Sequence, residues 1–203
     1  MPVDVAVVDS GSGNLRSVER ALEAVGANPR FTSDPEVVAK ADGIVVPGQG
    51  AFGDCVDNLR ERGLDQAIAE VIQLGKPYFG ICLGLHILFE DSEESPGSRG
   101  LGVLEGSVRR FLPSVGKVPH MGWNSTTSTR SLPQLADIPE NTYFYFTHSY
   151  YALPKSDGMV ALRCHYGGSF VAAIQHENIF ACQFHPEKSQ AAGLKLLQNF
   201  AQL

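Results

Sequence analysis

The sequence has no basic run and no surplus of positive charge: 16 Lys and Arg stand against 22 Asp and Glu, a formal net charge of -6. With no interleaving of aromatic and basic residues either, a surface built for nucleic acid is excluded. No apolar stretch approaches the ~20 residues of a membrane helix, and Met1-Pro2-Val3-Asp4 shows no charged-then-apolar leader pattern. Cysteine is scarce: the residues at 55, 82, 164 and 182 show no C-x-x-C spacing. Free thiols in a reducing compartment, hence a cytoplasmic location, are expected. No His, Cys, Asp or Glu cluster has metal-ligand spacing. Gly11-Ser12-Gly13 lacks the third glycine of a dinucleotide fingerprint and the lysine of a phosphate loop. Neither a metal nor a cofactor is expected.

What is present is a chain of 203 residues, 43% hydrophobic and 19% charged, enough for one domain over 1–203 with a sizeable core. Its first half alternates strand and helix. Val3 to Val8 is an apolar, β-branched run of the kind covered on both faces. A turn over Asp9–Asn14 leads to a helix through Val25, stopped by Gly26. Strands at Arg30–Thr32, Ile44–Val46 and Tyr78–Ile81 follow, with helices after Pro35, over Asp54–Arg62 and over Leu64–Leu74. Asp91–Gly100 reads as a polar surface loop. Further strands fall at Ser107–Phe111, Thr142–Thr147, Val160–His165, Phe170–Gln175 and Ile179–Phe184, before a closing helix over Ser189–Leu203. The fold class is α/β: a doubly wound, mainly parallel sheet flanked by helices, with additional antiparallel strands in the second half. Ligands bind such sheets at the carboxyl ends of the strands.

Two of those strand ends carry chemistry. Tyr78-Phe79-Gly80-Ile81-Cys82-Leu83-Gly84 is a G-x-C-x-G elbow, the thiol counterpart of the serine hydrolase nucleophile turn. Its glycines are expected to permit a sharp turn, and the helix that follows to favour thiolate through its dipole. Buried cysteines are usually inert, so the elbow needs a base. Phe184-His185-Pro186-Glu187 offers one: proline fixes the backbone between an imidazole and the carboxylate that can orient it.

These motifs resemble the class I (triad) glutamine amidotransferases. Val118-Pro119-His120-Met121-Gly122-Trp123-Asn124, Tyr145-Phe146-Thr147-His148-Ser149-Tyr150-Tyr151, His185-Pro186-Glu187-Lys188-Ser189 and Asp9-x-Gly11-x-Gly13-Asn14-Leu15-Arg16-Ser17-Val18 are similar to the glutaminase subunits of imidazole glycerol phosphate synthases. The resemblance spans residues 9 to 189. It implies that Cys82 attacks the side-chain amide of glutamine, that His185 relays protons and that Glu187 orients His185. It places oxyanion donors at Leu83 and the Gly48-Gln49-Gly50 turn, and glutamine contacts at His86, Ser149 and Tyr150. It also implies a (β/α)8 cyclase partner that takes up the ammonia in histidine biosynthesis, met by Asn14, His120, Trp123, Asn124 and Lys188. Gly122 and Asn124 point to a loop around Trp123. His148 reads as a structural or interface histidine, and Cys55, Cys164 and Cys182 as packing.

Two positions depart from the family pattern. His86 stands where glutamine usually lies four residues after the cysteine, and its charge is expected to make substrate affinity pH-sensitive near neutrality. Gln49 interrupts the usual P-G-V-G of the oxyanion turn. His86 leaves open a chain that regulates a synthase without catalysis. The Met-Gly-Trp-Asn and His-Ser-Tyr-Tyr segments argue against an anthranilate- or pyridoxal-phosphate-type glutaminase.

Overall fold

A computed structural model of the chain describes residues 3–11 and 15–202, so the site proposed at Asn14 lies outside the described residues. Chain order is β1 (Asp4–Val8), α1 (Leu15–Ala24), β2 (Asn28–Thr32), α2 (Pro35–Lys40), β3 (Gly43–Gly48), α3 (Phe52–Glu61), α4 (Leu64–Gln73), β4 (Tyr78–Cys82) and α5 (Leu83–His86). The second half continues with β5 (Asp91–Ser92), β6 (Gly106–Arg110), β7 (His120–Ser128), β8 (Thr142–His148), β9 (Tyr150–Pro154), β10 (Val160–His165), β11 (Ser169–His176), β12 (Ile179–Cys182) and α6 (Gln190–Phe200).

One nine-stranded sheet runs β2-β1-β3-β4-β12-β11-β10-β7-β8, and a small sheet runs β5-β6-β9. The pairs from β2 through β4 to β12 are parallel, and those from β12 outward to β8 are antiparallel. The β-branched run of β1 explains its central place. Val5 and Val7 bury into the core under α1 and α6, while Ala6 and Val8 bury into the core under α2, α3 and α4. Strand order reverses between β1 and β3, so the carboxyl ends of β3 and β4 open beside a topological switch point. Gly48 and Cys82 stand opposite one another at that edge.

The segment around Trp123 is not a loop. It is β7, paired with β8 from His120↔His148 to Thr126↔Thr142 and with β10 through Ser128↔Leu162. Pairing with β8 along its length, joined by β10 from Thr126 onward, overrides the weak strand propensity of Gly122 and Asn124. The short strand β9 was equally unmarked in the sequence.

Candidate active site

Cys82 closes β4 with φ +53° and ψ -97°, the strained backbone of a nucleophile elbow. The flanking glycines serve packing rather than the turn. A β-carbon on Gly84 would lie 1.9 Å from Val46 O, and one on Gly80 2.6 Å from Gly84 O. Only the cysteine itself takes the positive φ. Tyr78, unmarked in the sequence, pins the elbow from below: its buried hydroxyl donates to Gly84 O at 2.7 Å. The expected dipole contribution does not survive, because α5 is a single turn of four residues.

Cys82 lines a pocket of about 360 Å³ together with Gln49, Gly50, Leu83 and His86 on the α/β side and Ser149 and Tyr150 on the β8–β9 side. Gly48 abuts the elbow: a β-carbon there would meet Leu83 Cβ at 2.7 Å. The turn that begins at Gly48 is thereby held against the first amide of α5. Glu94 also lines the pocket, a residue the polar 91–100 stretch did not single out. Its carboxylate accepts from Phe52 N at 2.9 Å, and burial, the largest influence, pushes its pKa up.

His185 and Glu187 lie behind the cysteine, beside a small void lined by Gly48, Gln49 and Ile81. His185 Nδ1 donates to Glu187 Oε1 at 2.8 Å, and each side chain is 2% exposed. His185 Nε2 remains beside Cys82 without a hydrogen bond of good geometry. Burial pulls the imidazolium pKa down, but Cys82 and Glu187 outweigh it and raise it to about 9. Ser189, also missed in the sequence, fastens this turn to β8: its hydroxyl donates to His185 O at 2.7 Å and accepts from Tyr145 N at 3.0 Å. Burial is the main influence that pushes the Cys55 thiol to about 11, Cys164 to about 12 and Cys182 upward, so these three are uncharged packing residues at neutral pH.

His86 lines the pocket but does not bring the expected pH sensitivity. It is 4% exposed and its Nε2 donates to Gln183 Oε1 at 2.8 Å. Burial lowers its pKa to about 4, so it stays neutral around pH 7 and confers no pH sensitivity there.

His120 is likewise buried, at 3% exposure, and is not a surface contact. Its place in a chain of hydrogen bonds follows from donor and acceptor chemistry. Tyr150 O can only accept, so His148 Nδ1 donates to it at 2.8 Å. A neutral His148 then accepts through Nε2 from His120 Nδ1 at 3.1 Å, and His120 Nε2 accepts from Asn124 Nδ2 at 3.3 Å. The second hydrogen of the Asn124 amide goes to His165 O at 2.9 Å. On the opposite face of β7 and β8, Met121, Trp123 and Tyr143 are exposed, Trp123 at 45%. Trp123 meets Tyr145 edge-on, and Lys188 Nζ lies 6.0 Å from the Tyr145 ring, at the rim of the pocket. Among the described residues, no group of three or more His, Cys, Asp or Glu side chains could hold a metal ion, and no helix is long and apolar enough to cross a membrane.

A cysteine at a strained elbow, backed by a histidine held on a carboxylate, defines a thiol-dependent acyl-transfer site on a doubly wound sheet. The family model described as glutamine amidotransferase class-I matches residues 6–203, and the chain belongs to that family. Within it, the chain is similar to proteins named imidazole glycerol phosphate synthase subunit HisH. That of Geobacter sulfurreducens is 45% identical over 98% of both chains. That of Rhodopirellula baltica is 48% identical over 97% of this chain and 96% of its own. That of Methanothermobacter thermautotrophicus is 48% identical over 98% of both. The fold matches a crystal structure described as glutamine amidotransferase (TM-score 0.77, 20% identity, 98% of this chain and 99% of the other). It also matches the structure of PurLQS from Thermotoga maritima (TM-score 0.79, 22% identity, 100% and 99%).

Proposed function

We propose that this chain, as one domain, is the glutaminase subunit of an imidazole glycerol phosphate synthase, acting in the cytoplasm in histidine biosynthesis. The observation that carries the chemistry is the strained Cys82 on the pocket wall with the His185–Glu187 pair directly behind it.

In this reading Cys82 Sγ attacks the carboxamide carbon of glutamine. The oxyanion that forms is met by the Leu83 N–H and by an amide of the Gly48–Gln49 turn. His185, charged at neutral pH, delivers its Nε2 proton to the departing ammonia. The γ-glutamyl thioester left on Cys82 is then hydrolysed by water, whose proton returns to His185. Glu187 keeps Nδ1–H engaged throughout, so Nε2 is the nitrogen that exchanges protons. Glu94 is placed to meet the α-ammonium of glutamine, with Ser149 and Tyr150 along the opposite wall.

The ammonia passes to a (β/α)8 cyclase partner. We assign the docking face to the exposed side of β7 and β8, with Trp123 as its aromatic anchor and Lys188 at its rim, while Asn124 lies on the other side with His120. His120 supports that face from within. Glutamine labelled with ¹⁵N in its side-chain amide tests the reading. With the cyclase partner and its phosphoribosyl substrate, the label is expected in the imidazole product and unlabelled glutamate nitrogen in solution. Incorporation of free ammonium alone, with glutamine left intact, would refute it.

A further inference from the structure

The hydrogen bond that Cys82 Sγ receives comes from Gln183, whose Nε2 lies 3.6 Å away. Gln183 is fully buried, and its backbone N–H donates to Ala172 O at 2.8 Å, continuing the β12–β11 pairing and fixing where the side chain starts. Its other amide atom is occupied: Oε1 accepts from His86 Nε2 at 2.8 Å. A carboxamide has one accepting oxygen and one donating nitrogen, so a ring N–H on the oxygen turns the NH₂ toward the sulfur. The pattern is therefore directional, from His86 through Gln183 to Cys82, and all three side chains are buried.

We propose that Gln183 is a positioning residue for the nucleophile, and that His86 acts on the reaction by orienting the Gln183 amide toward Cys82 Sγ rather than by holding glutamine. The inference rests on Cys82 being the nucleophile. An N–H donor favours negative over neutral sulfur and limits the rotamers of a side chain that must point at the pocket. The substitution of histidine for the family's glutamine then has a physical sense: the imidazole spans from α5 to β12 and reaches an amide instead of the substrate.

The test uses the full chain. The rate of Cys82 alkylation by iodoacetamide is followed against pH by peptide mass spectrometry, for wild type, Gln183→Met, His86→Leu and His86→Gln. Glutaminase kcat and KM are measured with the cyclase partner present. Gln183→Met and His86→Leu are expected to slow Cys82 alkylation at neutral pH about three- to tenfold. They are also expected to lower kcat about tenfold with KM little changed. His86→Gln keeps both near wild type, because its own amide N–H can donate to Gln183 Oε1. The inference is overturned if His86→Leu raises KM about tenfold while the alkylation profile stays put, or if Gln183→Met leaves both readouts unmoved. Should Gln183→Met fail to fold, the His86→Leu and His86→Gln pair decides alone. A wild-type chain that hydrolyses no glutamine with its partner would instead refute the glutaminase reading itself, a distinct result.

Discussion

Glu187 Oε1 accepts the Nδ1 proton of His185 at 2.8 Å across a turn stiffened by Pro186, with both side chains shut away from water. In that setting the carboxylate does two things: it orients the ring and helps hold its charge. Glu187→Gln keeps the shape and removes the charge. We expect kcat to fall at least about a hundredfold. The wild-type profile of kcat/KM should decline as pH rises through about 9, where His185 loses the proton destined for ammonia, and in Glu187→Gln this limb should move to lower pH. An alkaline limb that does not respond to the substitution would detach His185 from Glu187 in the mechanism.

The parts of this site that were legible in the sequence are those held by local chain geometry. G-x-C-x-G marks an elbow and His-Pro-Glu a pre-set ion pair, because their partners lie within two residues. Gln183, Glu94, Tyr78 and Ser189 were not legible, since each acts on a residue brought near by sheet topology or a loop rather than by spacing. The same reason explains β7. Nothing in His120–Ser128 alone demands a strand; β8 imposes one from His120 to Thr126 and β10 from Thr126 to Ser128. The family resemblance implies a His86 whose charge changes near neutrality, whereas burial keeps it neutral there and Gln183 engages its ring.

The elbow's glycines give a structural prediction. Gly84→Ala would put a β-carbon 1.9 Å from Val46 O, backbone that cannot rotate aside. We expect a loss of about 3 kcal/mol or more of stability, read as a lower urea midpoint. Gly26→Ala meets nothing within 4 Å but is strained at φ +86°, and it should cost about 1 kcal/mol.

Buried histidines set the response to acid. His86 and His120 are each lowered by burial to about 4, below the 6.5 of a free histidine. The unfolded chain therefore binds protons that the folded chain refuses. Stability should fall as pH drops from about 6.5 toward 4, by up to about 3 kcal/mol for each group. His185 works in the opposite direction. Its raised value contributes stability that is full below about pH 6.5 and is lost as pH rises through about 9. Urea midpoints across pH 4.5 to 9.5 should peak between those limits, and a profile still rising toward pH 4.5 would contradict the histidine assignments.

The docking face proposed on β7 and β8 would separate affinity from folding. Trp123 is 45% exposed and packs edge-on against Tyr145. Trp123→Ala should leave thermal stability within about 1 kcal/mol and weaken cyclase binding by about 2 kcal/mol or more. Calorimetric titration against the partner measures the second quantity. An unchanged affinity would move the interface elsewhere.

The central claim, that Cys82 carries the γ-glutamyl group, is tested most directly by covalent labelling. In the presence of the cyclase partner, a glutamine analogue bearing an electrophile at the amide position should modify the chain once. Peptide mapping should place that adduct on Cys82, excess glutamine should suppress it, and Cys82→Ser should abolish it. Absence of labelling, or an adduct on Cys55, Cys164 or Cys182 instead, would contradict the account.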